Sequence, residues 1–143
     1  MKAVVDTNVV AYYLLGTQPF AEEARLFWRE VDEVMAPALW EAELANVVWM
    51  AIRAGIVSFE EGRRRLGLAA RLRIQSVGSS TLWHGALIRA VNSGVAVYDT
   101  LFVELATRER LPLATFDARI IGSFPEVARR PGVVLARGPD GVE

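Results

Sequence analysis

Four carboxylates carry the chemistry this sequence offers. They are Asp6 in "AVVDTNVV", Glu43 in "PALWEAELANVV", Asp99 in "YDTLFVELA" and Asp117 in "LATFDARI". Asp6 directly follows the apolar run Ala3 to Val5, and Asp117 comes two residues after "LPLAT", so both are expected at the carboxyl ends of short buried strands. Asp99 falls before or within the first turn of a helix, where unpaired N–H groups and the macrodipole favour an anion. Taken singly, each of these three also reads as a cap or turn residue. Glu43 resists that reading. Its helix is apolar almost all round, so a largely buried carboxylate that needs a partner is expected. At about 100° per residue, Glu43, Asn46, Met50 and Arg53 share one slanting stripe, and Glu41 points roughly opposite to Glu43. A contact with Asn46 is the purely structural alternative. Arg53 lies three turns along the helix, too far for a direct bridge.

Carboxylates aimed at one sheet edge repel one another in a low-dielectric cleft. Protonation or a bound divalent cation relieves that repulsion. An all-oxygen donor set suits Mg²⁺ or Mn²⁺ better than zinc. Beside a phosphodiester, such ions polarise the phosphate, generate hydroxide from water and stabilise the leaving oxygen. The residues therefore point to metal-dependent phosphoryl chemistry.

The elements that must position these acids follow from apolar patterning. "AVV", "VMA", "LPLAT" and "GVVLA" read as short buried strands. "VVAYYLLG" is a helix closing on Gly16, and Pro19 suits the first turn of "PFAEEARLFWREV". One helix runs from Pro37 to a C-cap at Gly55, and Ser58 with Glu61 forms a capping box for the next. Ser80 or Thr81 is placed to cap "LWHGALIRAVNSG". Tyr98, Leu101, Phe102 and Leu105 make the stripe of a last long helix. Short apolar strands separated by helices predict an α/β three-layer sandwich, with a central mostly parallel sheet flanked by helices. Ligands in such folds collect beyond the carboxyl ends of the strands, where the acids are expected. One domain over residues 1–137 and a flexible tail at 138–143 are expected.

Composition narrows the field. The chain has 143 residues, 52% of them apolar, enough to bury a core and to argue against disorder. With no cysteine, disulfides, thiol nucleophiles and cysteine-based metal sites are excluded. The net charge of −1 neither requires nor excludes a nucleic-acid partner. Asp6 interrupts the N-terminal apolar run far short of a signal-peptide core, and Glu41, Glu43, Asn46 and Arg53 interrupt the most apolar stretch. A cytoplasmic protein with no membrane partner is expected. Lys2 is the only lysine and precedes the first strand. That argues against response-regulator receivers and haloacid-dehalogenase-type phosphatases, which need a lysine in the site; the phosphatases also need an Asp where Asn8 stands. His84 is the only histidine, too few for a metal-free ribonuclease working with paired imidazoles. The arginines of "GRRR" and "ARR" could touch RNA phosphates or form solvated faces.

With the spacing Asp6 … Glu43 … Asp99 … Asp117, the chain resembles the PIN-domain ribonucleases, and among them the VapC-like toxins of type II toxin–antitoxin modules. Glu43 and Asn46 supply an E-x-x-N pattern, and Thr115 and Asp117 a T-x-D pattern. The resemblance spans roughly residues 2 to 136. It implies a PIN-like fold with the four acids around one or two Mg²⁺ or Mn²⁺ ions. Asp6, Asp99 and Asp117 would be direct or water-mediated ligands, and Glu43 would ligate or orient the metal-bound water. Asn8, Thr115 and Asn46 would support them by hydrogen bonds. The implied reaction is hydrolysis of RNA phosphodiester bonds by metal-activated water, in a homodimer inhibited by a small antitoxin protein. Tyr12, Tyr13, Phe27, Trp28, Trp40 and Trp49 could line such contacts, although core positions explain most of them. A PIN nuclease of RNA processing without an antitoxin, or a non-catalytic PIN-like interaction module, are the alternatives.

Overall fold

A computed structural model describes residues 1–137. The expected flexible tail at 138–143 lies outside the described residues. Among the described residues, five strands form one sheet: β1 (Lys2–Val5), β2 (Glu33–Pro37), β3 (Gln75–Val77), β4 (Leu113–Ala114) and β5 (Ala128–Arg129). Their order is β3-β2-β1-β4-β5, and every pairing is parallel. The expected sheet is therefore present, and it is wholly rather than mostly parallel.

Eight α-helices among the described residues flank it: α1 (Thr7–Leu15), α2 (Ala21–Glu30), α3 (Leu39–Arg53), α4 (Phe59–Leu68), α5 (Trp83–Ser93), α6 (Val97–Glu109), α7 (Ala118–Ser123) and α8 (Pro131–Arg137). Central strand β1 is deeply buried beyond its exposed Lys2, with Ala3, Val4 and Val5 wholly inaccessible to solvent. Each valine buried in this way contributes about 1.5–3 kcal/mol. Helices α5 and α6 pack as a pair, and α6 lies against β1, β2 and β4. The pair is pinned by Glu104, a buried carboxylate accepting from Arg89 Nε and Arg108 Nε at 2.8 Å each. Gly85 makes room for it. A Cβ at that glycine would lie 2.3 Å from the Glu104 carboxyl carbon.

The local signals act largely as expected. Gly16 caps α1 in the left-handed region at φ 66°, its N–H donating to Tyr12 O, and Glu61 N donates to Ser58 Oγ at 3.1 Å. Three expectations are corrected, and one strand is added to those expected. "GVVLA" is not a strand but most of α8, because Pro131 cannot donate to a ladder and presets the first helical turn. The last strand lies upstream, at Ala128–Arg129. β3 shows no apolar pattern in the sequence because it is a short edge strand whose Gln75 and Ser76 face solvent. Pro19 precedes α2 in a turn closed by Phe20 N to Thr17 O, and that helix begins at Ala21. Neither Ser80 nor Thr81 caps α5: both belong to a 3₁₀ turn, and the Thr81 hydroxyl donates to Gly78 O at 2.7 Å.

Helix α3 is less enclosed than its composition predicts. Trp40, Leu44, Val48 and Ala51 are its buried stripe, whereas Trp49 and Met50 are more than half exposed and Glu43 is half-buried. Of the other aromatics, Phe27 is fully buried and Tyr12, Tyr13 and Trp28 pack partly buried against the core. No single helix among the described residues is long and apolar enough to cross a membrane.

Candidate active site

Parallel pairing brings the carboxyl ends of β1 and β4 side by side. Val5 pairs with Ala114, and the next residues, Asp6 and Thr115, face each other. A backbone bond from Asp6 N to Ala114 O at 2.9 Å fixes this register, and Thr115 N donates to Arg129 O of β5 on the other side of β4 at the same distance. Asp6 is buried, and protein donors hold both of its oxygens. Oδ1 accepts from Thr7 N at 2.7 Å, the capping bond of α1. Oδ2 accepts from the Thr115 hydroxyl at 2.7 Å and from Asn8 Nδ2 at 3.3 Å.

Asn8 also ties down the loop after β4. Its Oδ1 accepts from Phe116 N at 3.1 Å, and Thr115 Oγ1 accepts from Asp117 N at 3.0 Å. The Phe116 ring braces that loop from below, packed against Tyr12 and Phe20 with the Arg130 guanidinium 4.8 Å above it. Asp117 follows, and its Oδ1 caps α7 by accepting from Arg119 N at 2.9 Å and Ile120 N at 3.3 Å.

Glu43 reaches this group from α3, where its Oε1 accepts from the Thr7 hydroxyl at 2.9 Å. Asp99 lies in the first turn of α6 and meets the Arg119 guanidinium, Nη2 to Oδ2, at 3.2 Å. The acids sense one another. Burial pushes the Asp6 carboxyl up to about 7, and the charges of Asp99 and Glu43 add to that rise against the bonds from Thr115 and Thr7. Burial also raises Glu43, with Asp99 adding to it, and it raises Asp99, with Asp117 adding and Arg119 opposing.

The sequence-derived set is thus only partly gathered. Asp6, Asn8, Thr115 and Asp117 form one hydrogen-bonded group, and Glu43 joins it through Thr7. Asp99 approaches by charge rather than by direct contact. Asn46 is not brought in: it is exposed, with Nδ2 3.7 Å from Met50 Sδ. Two participants go beyond the motifs. Thr7 links Asp6 to Glu43, and a hydroxyl beside a strand-end acid was its only signal. Arg119 is, among the described residues, the one cation in contact with any of the four acids; its signal was a position two residues after Asp117. His84 is exposed and plays no part.

A divalent cation suits this neighbourhood in donor type and in charge, because buried and half-buried carboxylates outnumber the cation available to them. As the side chains stand, however, no three acidic or imidazole groups among the described residues are gathered closely enough to hold one ion. The reason is visible in the bonds above, since every acid is turned toward a donor of the protein itself.

A wholly parallel sheet with acids beyond its central strands fits a PIN domain, and the PIN domain family matches residues 3–129; the chain belongs to that family. It is similar to Ribonuclease VapC3 of Pyrobaculum aerophilum, 28% identical over 129 residues that cover 87% of this chain and 96% of the relative. Its fold is that of a toxin–antitoxin complex chain from Klebsiella pneumoniae, with TM-score 0.62 and 18% identity over 90% of this chain and 97% of that one. It is also that of VapBC2 from Rickettsia felis bound to a DNA fragment from their promoter, with TM-score 0.61, 14% identity, and 91% and 98% covered.

Proposed function

We propose that this chain is a Mg²⁺- or Mn²⁺-dependent endoribonuclease, the toxin of a toxin–antitoxin pair, acting as a homodimer in the cytoplasm. Asp6, Glu43, Asp99 and Asp117 are the proposed cation-holding and catalytic residues, with Asn8 and Thr115 fixing their orientation. Asn46 would join them only by turning away from Met50. The reading is supported by four acids, carried on four separate elements, whose charges reach one another near the carboxyl ends of β1 and β4 although they are not gathered into one ligand set. The names borne by the relatives support the substrate and the partner: a ribonuclease in one case, and toxin–antitoxin complexes in the others.

A cation held there would neutralise the crowded acids, polarise the scissile phosphodiester and make water a stronger nucleophile. The chain's own residues do the remaining work. Asp6 is locked in place by three donors, so once a cation keeps it ionised it would present its charge with little reorganisation. Glu43, raised by burial and anchored through Oε1, is the group proposed to take a proton from the attacking water at Oε2.

The test is hydrolysis of RNA by the purified protein with Mn²⁺ and with chelator, beside Asp99→Asn. Cleavage that needs Mn²⁺ and falls at least 100-fold in the variant is expected. Cleavage indifferent to both would overturn the reading. Intact Mn²⁺ binding without cleavage of any RNA tried would favour the interaction module.

A further inference from the structure

We propose that Arg119 is a phosphate-contacting residue of this site, held by Asp99 as an internal counter-ion until a divalent cation takes its place. The inference rests on the nuclease reading above and adds a residue that reading does not require.

Arg119 is tethered twice to the acid group. Its backbone N–H donates to Asp117 Oδ1, and its guanidinium reaches Asp99 Oδ2 at 3.2 Å, so one residue spans α7 and α6. The two tethers differ in character. The backbone bond belongs to the cap of α7 and stays. The side-chain pair is open to solvent, with the Arg119 side chain 62% exposed and that of Asp99 26% exposed. Exposed ion pairs of this kind contribute little and are easily exchanged. A divalent cation competing for Asp99 would therefore displace the guanidinium while leaving its backbone beside Asp117.

Chemistry indicates what the freed group would then contact. A guanidinium carries five N–H donors in a planar fork that matches a phosphate bidentately, and only Nη2 is engaged here. Several other arginines are paired with acids away from this site: Arg130 with Glu23, Arg89 and Arg108 with Glu104, Arg65 with Glu61. Arg119 alone combines exposure with a position against the acids. An RNA phosphate drawn to a cation among them would meet it.

The experiment has two readouts, neither of them cleavage. Mn²⁺ binding is measured by calorimetry without RNA, for the wild type, Asp99→Asn, Arg119→Gln and Arg119→Lys. Binding of a fluorescent single-stranded RNA is then followed by anisotropy across a salt series, with Ca²⁺ replacing Mn²⁺ and the RNA verified intact. Arg119→Gln should bind Mn²⁺ several-fold more tightly than the wild type. It should bind RNA about tenfold more weakly, with a salt slope reduced by about 0.7, as for one lost phosphate contact on a single strand. Arg119→Lys should keep the salt slope while losing part of the RNA affinity. Weaker Mn²⁺ binding by Arg119→Gln, or an unchanged RNA affinity and slope, overturns the inference and leaves the nuclease reading standing. A wild type that takes up no Mn²⁺, like Asp99→Asn, overturns the cation site itself and the displacement that depends on it.

Discussion

The hydroxyl of Thr115 donates to Oδ2 of Asp6 at 2.7 Å, and the two residues stand one step beyond the paired positions Val5 and Ala114. Thr115 is wholly buried, and its hydroxyl has a single proton. With that proton on Asp6, the oxygen accepts from Asn8 Nδ2 at 3.3 Å and from Asp117 N at 3.0 Å. One side chain thereby orients two acids and the asparagine between them.

Removing that hydroxyl while keeping the shape of the side chain should therefore cost stability. Thr115→Val leaves Asp6 Oδ2 short of its closest donor and Asp117 N without an acceptor, and a loss of about 1–3 kcal/mol is expected. Thr115→Ser should recover most of it. Urea unfolding midpoints of the three proteins decide the matter, and a Val variant as stable as the wild type would contradict it.

The Asp6 carboxyl sets a pH dependence whose sign is fixed. Its proton is held up to about 7 in the fold, against an ordinary value of 3.8, mainly because of burial. The folded state thus binds the proton more tightly than the unfolded chain. Its stabilisation is complete below the unfolded value and disappears as pH rises through about 7, amounting to roughly 4 kcal/mol at most. Metal-free Asp6→Asn should lack this component. The stability of wild type relative to the variant, measured by denaturant at pH 5.5 and pH 8, should fall as pH rises. A constant difference would show that Asp6 titrates normally. Mn²⁺ should stabilise the wild type more at pH 8 than at pH 5.5, since there it need not displace a proton.

Gly85 and Gly67 predict opposite outcomes for the same substitution. Gly85→Ala would drive a methyl group into the Glu104 carboxylate, which is held by Arg89 and Arg108, and a loss of about 1–3 kcal/mol is expected. Gly67, inside α4, has no atom within 4 Å of an added Cβ. Its alanine variant should be neutral or up to about 1 kcal/mol more stable. Thermal unfolding of both variants checks the pair, and equal shifts would mean that the α5–α6 contact is slack.

Thr7 separates stability from function. Thr7→Val keeps the shape of the side chain and the backbone bond to Asp6, but frees Glu43 Oε1. Stability should fall by about 1 kcal/mol. If Glu43 is the proton acceptor, RNA hydrolysis should fall about tenfold or more, with Thr7→Ser restoring it. A rate matching the wild type would remove Glu43 from that role.

Most of the elements were legible in the amino-acid order because their causes are local. Ser58 and Glu61, Gly16 and the apolar run of β1 act within a few residues, so each announces its own helix end or strand. The misreadings arose where a neighbour or an edge outweighed pattern. Pro131 turned an apolar run into α8. β3 needed no apolar face because it closes an edge. α3 exposed Trp49 and Met50 although its composition suggested enclosure.

What the sequence by itself determined is the presence of three acids at or near the ends of elements and a fourth, Glu43, within a helix, the chemistry open to them and the α/β class. Only the tertiary structure decided their company. Thr115 meets Asp6 across 109 positions and Thr7 meets Glu43 across 36, contacts that parallel register and helix packing select. Arg119 rather than a second acid faces Asp99, and Asn46 turns away. Such pairings depend on which side chains the sheet order and packing bring within 3 Å or so of one another, and neither periodicity nor capping rules carry that information.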